Sequence, residues 1–351
     1  MKEKIKAFAS AHRKLLLVLA VVAAVAVAAG LLLYNNGRKQ EAAAQQKSAA
    51  HADTAKRDAA DLHIALMPTI NCLPFYYAEE AGLFDKAGIS VAIDTYASLF
   101  DTETAVDSAR AAVALVDYVR FLQKGHRANG QTCLMAAPQS HSLIVCGRLR
   151  IKNLRQLRLH TLATTRFSYD AYLANAVMQQ AGVAASERLF PQINDVSLRA
   201  DMLDDNQIDA AILPEPQASV ARAKGHRELA LPAALAPCWT CIIARDVSPK
   251  NGKEGSKKGG KEGGKEGSKE GSKEVATKET LTKIRSIYDA AADSLNSKSP
   301  TVVRLCRSIM QKRWNVPKEV ADTIRIPRFS HAAAPSAETV RGAETFLKGQ
   351  K

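Results

Sequence analysis

The sequence predicts an α/β protein of two similar units behind an N-terminal apolar span. From residue 62 onward, short apolar runs alternate with amphipathic helical stretches, the pattern of βαβ units and a mostly parallel sheet. A βαβα order is written twice, once from residue 62 and again from about residue 148, with a similar polar loop after the leading strand of each half. An uninterrupted apolar run occupies residues 15–34 ahead of both halves. A chain of 351 residues is long enough for about two domains with real cores.

The apolar run has about the 20 residues that a bilayer core requires. Lys2, Lys4, Lys6, Arg13 and Lys14 precede it, so residues 1–14 stay in the cytoplasm and the bulk is exported. Ala24-Val25-Ala26 and Ala26-Val27-Ala28 have the small-residue form of a signal-peptidase site, which leaves a cleaved and secreted product as the alternative. Because the run continues past them, a single-pass anchor at the cell membrane is the expectation. Residues 35–60, rich in Ala, Gln and Lys, read as a polar stalk.

The first unit opens with a strand at 62–67 and a polar turn at 68–72. A helix over 74–87, stopped by Gly88, follows, then a strand at 90–96, a loop at 97–100 and a helix opened by Asp101. A strand at 112–116 delivers Asp117, and runs at 134–137 and 143–146 read as strands at the edge of this unit. The second unit has a strand at 159–163, the loop 164–168 and a helix over 169–181 stopped by Gly182. A short strand at 190–193 precedes a helix at 196–204 capped by Asn194 or Asp195. A strand at 208–213 and a helix at 217–224 complete it. Tandem Lys-Glu-Gly-Ser repeats over 250–275 contain nothing to bury and are expected to be a disordered insertion. Helices at 281–295, from Ser299-Pro300, at 317–324 and at 336–348 close the chain. The first lobe thus takes 62–146 and 238–351, and the second 147–237.

The formal charge of +14 raises the question of nucleic acid. The basic residues sit at segment ends and in the repeat tract, not interleaved with aromatics in a recognition motif, so no nucleic-acid partner is expected. Six cysteines in an exported region permit disulfides without fixing their pairing. Cys238 and Cys241 form a CxxC whose flanks read as strand rather than helix start, which favours strand residues or a local disulfide over a redox site. No Walker loop, GxGxxG, GxSxG or HExxH is present, and the histidines lack ligand spacing. The sequence therefore points to no catalytic residue, metal or cofactor.

Polar loops at the C-terminal ends of parallel strands are where open α/β sheets bind small ligands. Thr69, Asn71, Ser98, Thr164, Thr165 and Ser168 supply hydroxyls and an amide there. Asp117 and Glu215 occupy two further loops, and Tyr76, Tyr77, Phe100 and Trp239 offer flat walls. Arg166 predicts an anionic solute and Glu215 a cationic one, which leaves the solute's charge open.

LHIALMPT from Leu62, LPFYYAEEAGLF from Leu73 and MLDDNQIDAAILPEPQASVA from Met202 resemble the NMT1/THI5-like solute-binding proteins, a family that includes binding proteins for sulfonates, taurine, nitrate and thiamine precursors. The resemblance covers roughly 62–245. It implies a type II periplasmic-binding-protein fold, two α/β lobes joined by two crossovers, closing by a hinge on a small polar organic solute. Thr69, Asn71, Ser98, Asp117, Thr164, Thr165 and Glu215 would then face the cleft, and the closed form would dock on an ABC permease with its ATPase. Two other functions occur on this fold: an enzyme, of thiamine-pyrimidine synthesis or a menaquinone-pathway lyase, and a sensing module without transport.

Overall fold

The computed structural model describes residues 59–125, 132–136, 141–231, 239–244 and 278–349. The expected membrane span, the stalk up to residue 58, Cys238 and the 250–275 tract lie outside the described residues. No helix among the described residues is long and apolar enough to cross a membrane.

Nine strands among the described residues form two sheets. The first has the order β2 (Val91–Thr95), β1 (Leu62–Leu66), β3 (Val113–Asp117), β9 (Thr240–Ala244), β4 (Thr132–Met135). The second has the order β6 (Leu162–Ala163), β7 (Ala210–Pro214), β5 (His141–Val145), β8 (Arg227–Leu229). The chain leaves the first sheet between β4 and β5 and returns between β8 and β9, which makes two crossovers.

The helices are α1 (Leu73–Glu80), α2 (Leu83–Lys86), α3 (Leu99–Asp107), α4 (Tyr118–Gln123), α5 (Tyr169–Gln180), α6 (Val196–Asp204) and α7 (Gln217–Ala223). Four more follow toward the C-terminus: α8 (Lys278–Ser297), α9 (Pro300–Lys312), α10 (Lys318–Ala321) and α11 (Ala337–Lys348).

The central strands are buried on both faces, as their near-continuous apolar sequences require. In β1, Leu62, Ile64 and Leu66 enter one hydrophobic cluster and Ala65 the other. In β7, Ala211 and Leu213 enter the first, Ala210 and Ile212 the second. Helix α1 packs its Phe75 against Tyr288 of α8 and its Tyr76 edge-on to Trp314, with ring centroids 5.4 and 5.3 Å apart. Burying side chains of this size stabilises by about 1.5–3 kcal/mol each.

Four details differ from the sequence reading. The sheets are mixed rather than mostly parallel. β1, β2 and β3 run parallel, as do β6 and β7, but β9 inserts antiparallel between β3 and β4, and β5 antiparallel between β7 and β8. The inserted strands β5 and β9 each follow a crossover, so no helix of a βαβ unit dictates their direction. The strand read at 143–146 therefore belongs to the second sheet, not to the edge of the first unit. The helix read over 74–87 is broken by Gly82 at φ +66, a left-handed conformation that favours glycine. The helix assigned a start at Asp101 is capped by Ser98, whose Oγ accepts from the Asp101 N–H.

One close approach fixes a glycine. A Cβ on Gly147, after β5, would lie 2.4 Å from the carbonyl oxygen of Gly225, at the turn before β8. Cys72, Cys133, Cys146 and Cys306 carry free thiols.

Candidate functional site

The loops after β1 and β3 face those after β6 and β7, and the two halves meet through direct hydrogen bonds. The Ile70 N–H donates to the Glu215 carbonyl (2.8 Å), the Gln217 amide to the Pro68 carbonyl (3.2 Å) and the Val196 N–H to the Ala97 carbonyl (3.3 Å). Arg120 donates across the same seam to the Arg166 carbonyl at 3.0 Å. This is the geometry of a closed clamp.

Between the halves lies a cavity of about 50 Å³. A water needs about 10–15 Å³ of such space, so the closed form holds a solute of only a few non-hydrogen atoms. The first half lines it with Thr69, Asn71, Asp117 and Thr240, the second with His141, Thr165 and Asp170. Met67, Leu99 and Val196 form apolar wall.

Asp117 ends β3 and caps α4, its Oδ1 accepting from the Val119 N–H at 2.8 Å. Its Oδ2 accepts from the Tyr169 N–H at 2.6 Å, the first residue of α5 in the opposite half. One carboxyl thus ties two helix starts across the seam. Burial pushes it up to about 7, the two backbone N–H groups acting against the rise.

Asp170, in the first turn of α5, is equally enclosed but has a cation. Arg199, fully buried on α6, donates from Nη1 to Asp170 Oδ2 at 2.8 Å and to the Ile212 carbonyl at 2.5 Å. Its Nε donates to the Ile193 carbonyl at 3.0 Å and its Nη2 to Thr165 Oγ1. Burial pushes Asp170 up, but Arg199 and then His141 outweigh it and hold the carboxyl below its ordinary value. His141 lies with Nε2 3.3 Å from Asp170 Oδ1, and burial holds its ring below the usual histidine range.

Two polar atoms at the cavity's lining residues are sealed from solvent without a partner: Asn71 Oδ1 and His141 Nδ1. Asn71 is 6% exposed, and its Nδ2 donates to Thr240 Oγ1 at 3.2 Å. Leaving a buried acceptor unpaired costs about 1–3 kcal/mol, which a bound donor would relieve.

The other residues singled out from sequence lie around this cavity rather than in its lining. Ser98 and Ser168 cap α3 and α5, with Ser168 Oγ also donating to the Thr165 carbonyl at 2.8 Å. Thr164 exchanges backbone hydrogen bonds with Pro191 and Ile193. Tyr76 shares a 2.9 Å hydrogen bond with Thr95, Tyr77 is in the core, and Phe100 lies under the Arg120 guanidinium at 3.6 Å. Trp239, 1% exposed, packs against Tyr169 and Tyr172. Both residues that left the solute's charge open are occupied elsewhere. Glu215 pairs with Arg222 at 2.5 Å, while Arg166 is exposed and lies over the Phe167 ring. His141, Asp170, Thr240 and Arg199 were missed by sequence reasoning, and only Asp170, two residues after a serine cap, had a local signal.

Two α/β lobes thus meet at a cavity that polar side chains and apolar wall from both halves line. The chain belongs to the NMT1/THI5 like family, whose match spans residues 69–245. Among solved structures it is similar to the alkanesulfonate-binding protein SsuA from Xanthomonas axonopodis pv. citri bound to MOPS. That likeness has 12% identity and a TM-score of 0.63, covering 82% of this chain and 91% of that one. The periplasmic aliphatic sulphonate binding protein SsuA from Escherichia coli gives 14% identity and 0.61, covering 82% and 87%. The periplasmic nitrate-binding protein NrtA from Synechocystis PCC 6803 gives 11% and 0.57, covering 79% and 74%. No curated protein matches the sequence. The type II binding-protein fold expected from the sequence is the fold of this chain.

Proposed function

We propose that the chain is the extracytoplasmic solute-binding component of an ABC-type importer, taking one small polar organic solute between its two lobes. Residues 15–34 hold it at the cell membrane, and the closed form docks on a permease served by its ATPase. The observation that carries the reading is the cavity itself. It is lined from both halves by hydroxyl, amide, imidazole and carboxyl groups set in apolar wall, and one amide oxygen among its lining residues is buried and unpaired. The named structural neighbours, binding proteins for sulfonates and nitrate, lend the fold-level support. The Cys72 thiol in this lining is pushed up to about 11 by burial and is protonated near neutral pH.

A thermal-shift panel on the purified full chain tests this. Sulfonates, nitrate, thiamine precursors, amino acids and small amines are each added at saturating concentration. A cognate solute raises the melting temperature by mass action, about 2.7 kcal/mol of stabilisation at a hundred times Kd. Folded protein indifferent to the whole panel contradicts the reading.

A further inference from the structure

The residues that line the cavity can be counted by charge and by hydrogen-bond role. Among the described residues no lysine or arginine lines it. Arg199 reaches the site only through Asp170 and Thr165, and its remaining contacts are to the Ile193 and Ile212 carbonyls. Arg120 is committed to Glu103 through two contacts of 2.5 and 2.7 Å and to the Arg166 carbonyl. The backbone N–H groups of Val119 and Tyr169 are already taken by the Asp117 carboxyl. An incoming anion therefore meets no free guanidinium or ammonium among the described residues, and it meets a protein carboxyl where those two N–H groups converge.

The unpartnered atoms are of the opposite kind. Asn71 Oδ1 is an acceptor. His141, with Nε2 toward the Asp170 carboxylate, carries its proton on that nitrogen when neutral, which leaves Nδ1 a bare acceptor as well. Amide oxygen, imidazole nitrogen and the Asp117 carboxyl together ask for a solute rich in N–H donors.

Resting on the solute-binding reading above, we infer that the cavity selects a small nitrogenous cation, an ammonium, amidinium or guanidinium of a few heavy atoms, and rejects sulfonate and nitrate. Asp117 is the counter-charge, and Asn71 and His141 are the acceptors that orient the N–H groups.

Calorimetric titration of the purified full chain decides it, run to millimolar solute at matched ionic strength. The probes are methylammonium, acetamidinium and guanidinium chlorides, sodium methanesulfonate, sodium nitrate and neutral urea. At least one cation is expected to bind once per chain, with affinity falling about tenfold or more in Asp117→Asn. A wild-type comparison at about pH 5.5 and about pH 8 covers the case in which that variant does not fold. Cation affinity is expected to rise about tenfold as the Asp117 carboxyl ionises beside Asp170, His141 and Arg120. Methanesulfonate, nitrate or urea binding better than every cation overturns the selection while leaving the solute-binding reading intact. Cation affinity indifferent to both Asp117→Asn and pH overturns it too. Silence from every probe, where the thermal-shift panel above gives a response, overturns the selection alone; silence in both experiments overturns both readings.

Discussion

Asp117 and Asp170 face the same cavity from opposite halves, and burial pushes both carboxyls toward the neutral form. Asp170 has the Arg199 guanidinium at 2.8 Å and falls below its ordinary value. Asp117 has two backbone N–H groups and Asp170 as an unfavourable neighbour, and it rises to about 7. Equal enclosure therefore does not give equal charge. A full counter-ion outweighs desolvation, and two backbone dipoles do not. The second half closes its electrostatics internally, whereas the first leaves a buried carboxyl without an ion-pair partner among the described residues.

The largest way to break this comparison is Arg199→Met. It strands the buried Asp170 carboxylate and removes the donors to the Ile193 and Ile212 carbonyls. The expected loss is about 3–5 kcal/mol in urea denaturation. A loss under about 1 kcal/mol would mean that Arg199 is not what keeps Asp170 ionised.

Next in size is Asp117→Asn, which leaves one acceptor oxygen for two N–H donors and costs about 1–3 kcal/mol near pH 5, a cost that shrinks toward pH 8 as the wild-type carboxyl ionises. Its pH dependence carries a sign. The folded value is raised from an ordinary 3.8 to about 7, so the folded chain binds the extra proton between those limits. Stability from this group is full below 3.8 and is lost as pH rises through about 7. Asp170, held low, contributes stability that is present above its ordinary value of 3.8 and is lost as pH falls below it. His141, lowered from 6.5, has the opposite slope to Asp117 and is destabilising as pH falls below 6.5. The difference between wild type and Asp117→Asn, measured by denaturation from about pH 4 to about pH 8, isolates the Asp117 slope.

The smallest effects sharpen the contrast. Ser98→Ala and Ser168→Ala each remove a helix cap and cost about 0.5–2 kcal/mol. Only Ser168→Ala loosens the start of α5, which carries both the Tyr169 N–H and Asp170, so only it also weakens solute binding. Equal binding in the two variants contradicts that assignment.

Much of the fold was legible because its signals are local. The apolar runs 62–66 and 210–214 alternate between two cores, Asp195 and Ser299 cap the helices they precede, and Gly182 takes the positive φ that ends α5. The antiparallel insertion of β5 and β9 was not legible, because strand direction after a crossover depends on where the chain re-enters a sheet. At the site, Thr69, Asn71, Asp117 and Thr165 stand on polar loops at strand ends, a rule that sequence can apply. His141 begins a strand and Arg199 lies mid-helix, and only the packing of one half on Asp170 gives either a role. Glu215 and Arg166 looked equivalent as charge selectors, and a neighbour seven residues along, Arg222, neutralises the first.

The most direct test of the unequal carboxyls is an NMR titration of the aspartate side-chain ¹³C resonances in the full chain, with Asp117 and Asp170 assigned from their Asn variants. The account predicts an Asp117 midpoint near 7 and an Asp170 carboxyl that stays ionised down to values below the ordinary 3.8. An Asp117 midpoint at or below 3.8, or the two resonances moving together, would contradict it.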